Sequence, residues 1–548
     1  MFSFPVISIQ GKCDLASGAE NDTITEIKFM RKLKIGIIDL LHNGVSKTLW
    51  ARVMRANMSS IMPTAIACWC EEQGHEVKLI AYTGLEDIEK ELPRDVDMVF
   101  ISSFTQAAQM AYAISNRLRK HNVVTALGGP HARCYPQDAR KYFDYVFGFT
   151  NKEVLKQALD ECAQHRPYGR HLRAALQPTQ LPGVRERWKF IEPTLKKAPF
   201  LKIVPMIGSM GCPYSCSFCI DSEIPYQTMD FEVIKDDLRF LLTKFKHPTV
   251  AWHDPNFGVR FDEMMSVIED AIPPNSIDFI AECSMSFLSV PHLQRLKANG
   301  FQALLPGIES WYELGHKTKA GKYKGEERML SVSAHVNQVM EYIPYFQANF
   351  IFGLDSDEGA EPFELIKRFI DHSPAAFPAY SLLTSFGQAA PLNLQYQREG
   401  RLLPFPFHTL NNHLAMNVKP KNYTWIQFYD HLIDVAEHSF SWKAIRRRMS
   451  HSSTFTSQWM NFIRAVSNEG WGRIRIFKQV RQLLETDREF RDFFEGESNK
   501  LPAFYHNIIK KDLGPMWEWL PEGALVHDEL AYMKEVEQEA KSRPAVGS

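Results

Sequence analysis

The hydrophobic pattern of the chain becomes regular at Leu33, after a polar and weakly patterned stretch that we predict to be an N-terminal extension over residues 1–32. Beyond it, short apolar runs alternate with segments long enough to form helices, and the runs read KIGIIDLL, EVKLIAY, DMVFISS, NVVTAL and DYVFG. Such alternation is typical of a parallel sheet with helices on both faces. We therefore predict a doubly wound, Rossmann-like α/β domain over residues 33–160, with its ligand at the carboxyl ends of the strands.

A second alternating series follows residues 161–199, which are rich in Arg, Pro and Gln and are predicted to be a linker. Its candidate strands are IVPMIGS, TVAWHD, DFIAEC, QALLPGIES, QANFIFGL and AYSLLTSF. Six strand–helix units predict a partial β/α barrel over residues 200–400, with its chemistry on the loops that follow the strands. Residues 401–548 are predicted to form a helical, aromatic-rich C-terminal domain that caps the barrel mouth.

Composition limits the classes of protein to consider. The 548 residues are 45% hydrophobic and 23% charged, with a formal net charge of -1, which indicates a globular chain and gives no reason to expect a nucleic-acid partner. No apolar run is long enough to span a membrane, and no secretory signal is evident at the start. Nine cysteines, mostly scattered, make a poor disulfide framework, so we expect a cytoplasmic protein. We also expect a monomer.

Three of the cysteines, Cys212, Cys216 and Cys219, lie in the stretch GCPYSCSFC directly after the first predicted barrel strand. Gly211 and Pro213 oppose a helix there and favour a loop. Three thiolates on one short loop suit an iron–sulfur or zinc site. A closed structural zinc site would need a fourth ligand from a second knuckle, which is not evident, and the third alternative is three buried thiols. We favour three ligands around a metal centre with an open position.

The spacing C-x3-C-x2-C, with an aromatic residue before the last cysteine, resembles the radical S-adenosylmethionine (SAM) superfamily. The resemblance implies a [4Fe-4S] cluster held by Cys212, Cys216 and Cys219, with one iron left open for SAM. It also implies SAM contacts from Phe218, from Glu309 and Ser310 in the segment GIES, and from Gly353 in NFIFGL. Asp254 and Asn256, in the loop after the second strand, are further candidates for SAM contacts, with a capped turn as their alternative role.

The first domain lacks the GxGxxG motif of dinucleotide-binding domains. Its segments SSFT and LGGPH resemble elements of cobalamin-binding domains, so the whole chain resembles the cobalamin-dependent radical SAM enzymes. The resemblance implies cobalamin contacts from Ser103, Thr105, Gly128, Gly129, Pro130 and Gly148. Where this family ligates cobalt from below it carries DxHxxG, whereas this chain reads DLLHNG; His42 is a possible cobalt ligand, and an ordinary loop histidine is the alternative.

The function implied by the family is methylation of an unactivated carbon of a small molecule, through a 5'-deoxyadenosyl radical and methylcobalamin, with electrons from a donor such as flavodoxin or ferredoxin. The alternatives are a radical cyclisation, rearrangement or oxidation without net methyl transfer, a non-catalytic corrinoid or iron–sulfur protein, and a radical SAM enzyme whose first domain is an empty scaffold. The basic stretches WKAIRRRM and RIRIFKQVR are interpreted as solvated helix faces. A site for an anionic substrate or a docking face for a reductase are their alternatives.

Overall fold

The computed structural model describes residues 31–41, 59–84, 86–162, 164, 166–198, 202–222, 224–313, 318, 321–410 and 414–528. From residue 32 onward the described chain packs as one compact unit.

The first sheet contains six parallel strands in the spatial order β2-β1-β3-β4-β5-β6. The strands are β1 (Lys34–Leu40), β2 (Glu76–Tyr82), β3 (Met98–Ser102), β4 (Val124–Gly128), β5 (Tyr145–Phe147) and β6 (Arg170–Leu172). The helices that accompany them are α1 (Ile61–Glu72), α2 (Ile88–Glu91), α3 (Ala108–Lys120), α4 (Pro130–Cys134), α5 (Pro136–Ala139) and α6 (Lys152–Cys162). The strand order reverses between β1 and β3, which creates a crevice at the carboxyl edge. The predicted doubly wound domain is therefore confirmed.

The segment expected to be a linker contains regular structure. Strand β6 extends the first sheet beside β5, and helix α7 (Val184–Lys197) packs between α1 and the barrel. Strand β6 escaped the sequence pattern because Leu172 is its one buried residue. Helix α7 contains Pro193, which argued against a helix, but it buries Val184 and Ile191.

The second sheet is a partial barrel of parallel strands. Its strands are β7 (Ile203–Met206), β10 (Thr249–Trp252), β11 (Asp278–Ala281), β12 (Phe301–Leu304), β13 (Gly307–Glu309), β14 (Tyr345–Phe352) and β15 (Phe377–Leu382). Strands β12 and β13 pair with successive parts of β14, so they are two halves of one barrel position interrupted at Leu305 and Pro306. Six barrel positions result, as predicted. A small antiparallel ladder, β8 (Ser209–Met210) with β9 (Gln227–Thr228), follows the first barrel strand.

Helices cover the outside of the barrel and form the rest of the chain. The barrel helices are α8 (Phe231–Lys244), α9 (Phe261–Ala271), α10 (Val290–Ala298), α11 (Gly325–Met340) and α12 (Glu361–His372). The later helices are α13 (Pro391–Arg398), α14 (Trp425–Ser439), α15 (Trp442–His451), α16 (Phe455–Val466), α17 (Arg473–Thr486), α18 (Arg488–Glu495) and α19 (Ala503–Leu513). The helical C-terminal region is confirmed. Its helix α16, however, lines a cavity with the amino ends of barrel strands, at the end opposite the mouth that this region was expected to cap.

One continuous hydrophobic core joins the barrel, the C-terminal helices and one face of the first sheet. Polar contacts reinforce this joint: the Gln109 side chain on α3 accepts a hydrogen bond from the His408 backbone and donates one to the Ala524 carbonyl (2.8 and 3.2 Å). Because apolar burial and matched hydrogen bonds act on the same interface, the first sheet is held in a fixed position against the barrel.

Candidate functional site

The three clustered cysteines lie on one loop that begins and ends at the β8–β9 ladder. Gly211 turns the chain into this loop at φ +71°, and a Cβ atom there would lie 2.2 Å from the Pro225 carbonyl oxygen, so only glycine fits. Within the loop, the Cys219 amide donates to the Cys216 carbonyl at 3.0 Å. The predicted loop is thus present, and the structure explains why glycine precedes it.

The donor set fits a metal–sulfur centre, since soft thiolate ligands select iron–sulfur clusters or zinc. Cys216 is buried, while Cys212 and Cys219 are half-buried. Among the described residues, no three Cys, His, Asp or Glu side chains are gathered into a metal-ligand group. The loop carries all three thiols within eight residues, and cluster ligation by Cys212, Cys216 and Cys219 stays a prediction.

Asp254 fastens the start of the cysteine loop. Its buried carboxylate accepts hydrogen bonds from the Gly208 amide (2.9 Å) and the Ser209 hydroxyl (2.5 Å). Burial raises the pKa of Asp254 to about 6. Sequence analysis proposed this side chain as a SAM contact, with a capped turn as the alternative; the structure shows it bound to Gly208 and Ser209, and its contact with SAM stays a prediction.

Asn256, which like Asp254 follows strand β10, supports the same cysteine loop. Its side-chain oxygen accepts from the Ser284 amide at 3.0 Å, and the Ser284 hydroxyl contacts the Ser286 hydroxyl at 2.9 Å. Ser286 in turn contacts the Tyr214 hydroxyl, on the cysteine loop, at 3.1 Å. Asn256 thus acts on the loop through two serines, and its contact with SAM stays a prediction.

Glu309 ends the β13 half-strand in a conformation that is rare for a residue with a side chain, at φ +66°. Its carboxylate folds back over Gly307: Glu309 Oε1 occupies the space that a Cβ atom at Gly307 would take. The buried Ser310 hydroxyl accepts hydrogen bonds from the Tyr312 and Glu313 amides at 3.1 and 3.3 Å. Ser310 therefore caps the following turn, and SAM contacts from Glu309 and Ser310 stay a prediction.

Gly353 and Phe218 were the predicted neighbours of adenine. Gly353 adopts φ +92°, and a Cβ atom there would lie 2.7 Å from the Met416 sulfur, so this glycine admits the close approach of a later segment of the chain. Its amide also hydrogen-bonds to the buried carboxyl group of Asp357. Phe218 is half-buried against the hydrophobic core. Adenine contacts from either residue stay a prediction.

A cleft with a cavity volume of about 240 Å³ lies between the first sheet and helix α1, at the carboxyl edge where the strand order reverses. Its walls are mainly apolar, and the lining includes Ile37, Met62, Ile66, Phe100, Ser102, Gly128, Gly129, Pro130, Phe147, Gly148 and Met210. A Cβ atom at Gly128 would meet no protein atom within 4 Å. The open slot between strands and helix fits the long nucleotide tail of a cobalamin, and Gly128, Gly129, Pro130 and Gly148 border it as predicted.

The two hydroxyl residues predicted for cobalamin do not line this cleft. The Ser103 hydroxyl donates to the Phe104 carbonyl at 2.8 Å, and Thr105 is buried beside Cys134. Ser102, one residue earlier, lines the cleft instead. The period-two alternation of a strand explains the shift, because it places neighbouring side chains on opposite faces. His42 lies outside the described residues.

Arg133, which sequence analysis missed, connects the cleft to the cysteine loop. It lines the cleft from helix α4, and its guanidinium lies over the Phe149 ring at 4.4 Å. The same guanidinium donates to Asp221 Oδ1 at 3.1 Å and to the Ile220 carbonyl at 2.9 Å. Met210, at the base of the loop, also lines the cleft. The cleft and the cysteine loop therefore face one another.

His253 and Glu282 were also missed. They directly follow β10 and β11, whose last residues Trp252 and Ala281 are paired, so the two side chains lie side by side at the barrel mouth. Both side chains are exposed and have no hydrogen-bond partner among the described residues, yet desolvation lowers the pKa of His253 and raises that of Glu282. Because the carboxyl ends of barrel strands carry the chemistry in this architecture, the two side chains lie where a substrate would bind.

Comparison with known proteins agrees with these features. The family model of the B12 binding domain matches residues 53–157. The bacteriochlorophyllide d C-12(1)-methyltransferase of Chlorobaculum tepidum is 22% identical over 68% of this chain and 81% of its own length. The bacteriochlorophyllide d C-8(2)-methyltransferase of the same organism is 24% identical over 65% of this chain and 80% of its own length.

Among solved structures, the cobalamin-dependent S-adenosylmethionine radical enzyme OxsB has a similar fold. With aqua-cobalamin bound it gives a TM-score of 0.51 at 13% identity, covering 90% of this chain and 84% of that chain. Its apo form gives a TM-score of 0.53 at 12% identity, covering 93% of this chain and 81% of that chain. The resemblance to this class of enzyme is confirmed. In the part of the chain that is described, no helix is both long and apolar enough to cross a membrane.

Proposed function

We propose that this chain is a cobalamin-dependent radical SAM enzyme that transfers a methyl group to an unactivated carbon of a small molecule. Its kinship with two methyltransferases over about two thirds of the chain supports an enzyme of this chemistry. The observation that carries the proposal is the shared space: the cleft of the B12 binding domain reaches Met210, two residues before Cys212. Methyl transfer requires that the corrin and the cluster act on one substrate, and this requires proximity.

Each part of the site has a role in this proposal. Cys212, Cys216 and Cys219 would hold a [4Fe-4S] cluster, and the slot at Gly128 and Gly129 would hold cobalamin. When bound, the cluster together with SAM would supply hydrogen abstraction, and the cobalamin would supply the methyl group.

The chain's own residues hold these parts in register. Asp254 and Arg133 fix the cysteine loop at its base and at Asp221, and Glu309 offers a carboxylate to the ribose or ammonium of SAM. His253 and Glu282 lie at the barrel mouth, where they can orient a polar group of the substrate. We place the enzyme in the cytoplasm, with an electron donor such as flavodoxin or ferredoxin.

Anaerobic turnover with methyl-labelled SAM tests the proposal. The protein is made with cobalamin supplied, and its iron, its corrin and its visible spectrum are measured first. Candidate acceptors begin with bacteriochlorophyllide d, the substrate in the names of both relatives. Labelled product identified by mass analysis supports methylation. Label that stays in methionine while another product forms indicates a radical reaction without net methyl transfer, and protein that never forms 5'-deoxyadenosine indicates a passive binding protein.

A further inference from the structure

The surface formed by helices α15 and α16 carries a group of exposed aromatic side chains, here called the aromatic patch. Phe455 is 80% exposed, Trp442 54% and Trp459 49%. The half-buried Phe462 and Trp471 lie beneath them: Trp442 contacts Trp471 at a ring-centroid distance of 5.0 Å, and Trp459 stacks on Phe462 at 5.8 Å. Large apolar side chains grouped on a surface mark an interaction site.

The chain segment that carries most of the aromatic patch is rich in basic residues. Residues 438–468 contain no Asp or Glu, but they contain Lys443, Arg446, Arg447, Arg448 and Arg464. Arg448 is buried, Arg447 pairs with Asp371, and Arg464 pairs with Glu469. Lys443 and Arg446 are exposed, and neither makes an ion pair with any residue in the described part of the chain. The rim of the patch is therefore cationic.

A cavity opens beside the start of helix α16. Its volume is about 600 Å³, it lies at the amino ends of the barrel strands, and its mainly apolar walls include Ile203, Ile280 and Leu305. Thr454, Thr456, Ser457 and Met460, which flank Phe455 and Trp459 in sequence, form its edge. An apolar molecule that lay against the patch would have a sheltered volume next to it.

We propose that the aromatic patch docks this enzyme on the surface of an anionic lipid bilayer. Trp and Phe side chains favour the layer between lipid chains and headgroups, and Lys and Arg favour anionic headgroups. A bilayer receives a protruding side chain such as Phe455 without a preformed pocket, which a protein partner would need. Self-association on a two-fold axis would place the cationic rim against its own copy, and like charges oppose that.

Vesicle flotation with the full-length purified protein tests this proposal. One set of vesicles is phosphatidylcholine alone, and the other contains about 30% phosphatidylglycerol. We expect flotation with the anionic vesicles that weakens as salt rises from about 0.05 to about 0.5 M, where the screening length falls several-fold. The variant Phe455→Ser/Trp459→Ser should reduce the bound fraction at least about tenfold, since it removes the apolar anchors.

The matched control is Tyr323→Ser. Tyr323 is 53% exposed but lies in the segment between β13 and α11, at the other end of the barrel, so its variant should float like the parent protein. Absence of flotation, or flotation that the double variant leaves unchanged, overturns the proposal. Sedimentation that reveals a concentration-dependent dimer broken by the double variant also overturns it and assigns the patch to self-association. Methyl transfer to a dissolved acceptor is independent of all these outcomes.

Discussion

Arg133 and Asp221 form an ion pair at 3.1 Å that joins the cobalamin-domain cleft to the cysteine loop. The two side chains are only 18% and 24% exposed, and the loop carbonyl of Ile220 accepts a second bond from the same guanidinium. Two hydrogen bonds from one planar guanidinium to two neighbouring acceptors set distance and orientation together, which a lysine cannot do. The pair is therefore suited to hold the two halves of the site in register.

Arg133→Gln should lower methyl transfer on the order of 100-fold while iron and corrin contents stay unchanged, because a misplaced loop separates reacting groups by a small but costly distance. Asp221→Asn should have a similar effect, and the exchange Arg133→Asp/Asp221→Arg should restore part of the activity. Metal analysis, the corrin spectrum and single-turnover assays measure these outcomes. Effects of the two single variants that simply add in the double would contradict a direct coupling.

Gly128 and Gly129 should respond differently to substitution although they are neighbours. A side chain at Gly128 extends into the open cleft, so the series Gly128→Ala, Gly128→Leu and Gly128→Phe should progressively lose cobalamin while keeping the parent melting temperature. Gly129 has φ +92°, and a Cβ atom there would lie 2.9 Å from the Ser103 carbonyl oxygen. Gly129→Ala should therefore lower the stability of the fold by about 1–3 kcal/mol. Corrin absorbance and thermal unfolding measure the two effects; equal loss of stability at both sites would contradict the structure.

Each of Cys212→Ala, Cys216→Ala and Cys219→Ala should reduce bound iron to a small fraction of the parent value, because a cluster that loses one of three protein thiolates loses its fixed attachment. Cys283→Ala is the matched control, since Cys283 is a buried barrel cysteine outside the loop. Iron analysis after anaerobic reconstitution measures this. Because ligation by three cysteines would tie the loop at three points, reconstitution should also slow hydrogen exchange across residues 211–222. Iron retained by all three variants would remove the basis of the proposed function.

Glu282→Gln and His253→Gln should each reduce turnover about 10- to 100-fold while leaving iron and corrin contents at the parent level. The reason is that polar side chains at the barrel mouth would contact the substrate and its transition state but neither cofactor's attachment site. The binding of SAM, measured by equilibrium dialysis, separates two explanations. Unchanged affinity indicates that the pair contacts the substrate, whereas a loss comparable to that of Glu309→Gln indicates contact with SAM.

Asp357 should make stability depend on pH. Burial raises its pKa to about 7, above the value of about 3.9 in an unfolded chain, so the folded protein holds a proton that the unfolded chain releases. Its stabilising contribution is complete below about pH 4 and is lost toward pH 7, at up to about 1.4 kcal/mol per pH unit. Asp357→Asn removes this slope, so its melting temperature relative to the parent should rise between about pH 4.5 and pH 8. A difference that is the same at both pH values would contradict the raised pKa.

Much of the fold follows from local sequence patterns. The apolar runs that we read as strands correspond to β1–β5 and to the six barrel positions, because the strands of a parallel sheet covered by helices are rich in apolar residues wherever they lie. Strand β6 and helix α7 were not predicted, since one buries a single residue and the other contains a proline.

The site divides in the same way. The spacing of Cys212, Cys216 and Cys219 is a local property, and so are the glycines of the cleft, so both were visible in the chain before any folding was considered. The partners of Asp254 and Arg133 were not visible, because Gly208 and Asp221 lie 46 and 88 positions away along the chain. The chain alone thus specifies which chemical groups are available. Folding specifies which of them meet, since hydrogen bonds and ion pairs between distant segments depend on packing that no local pattern encodes.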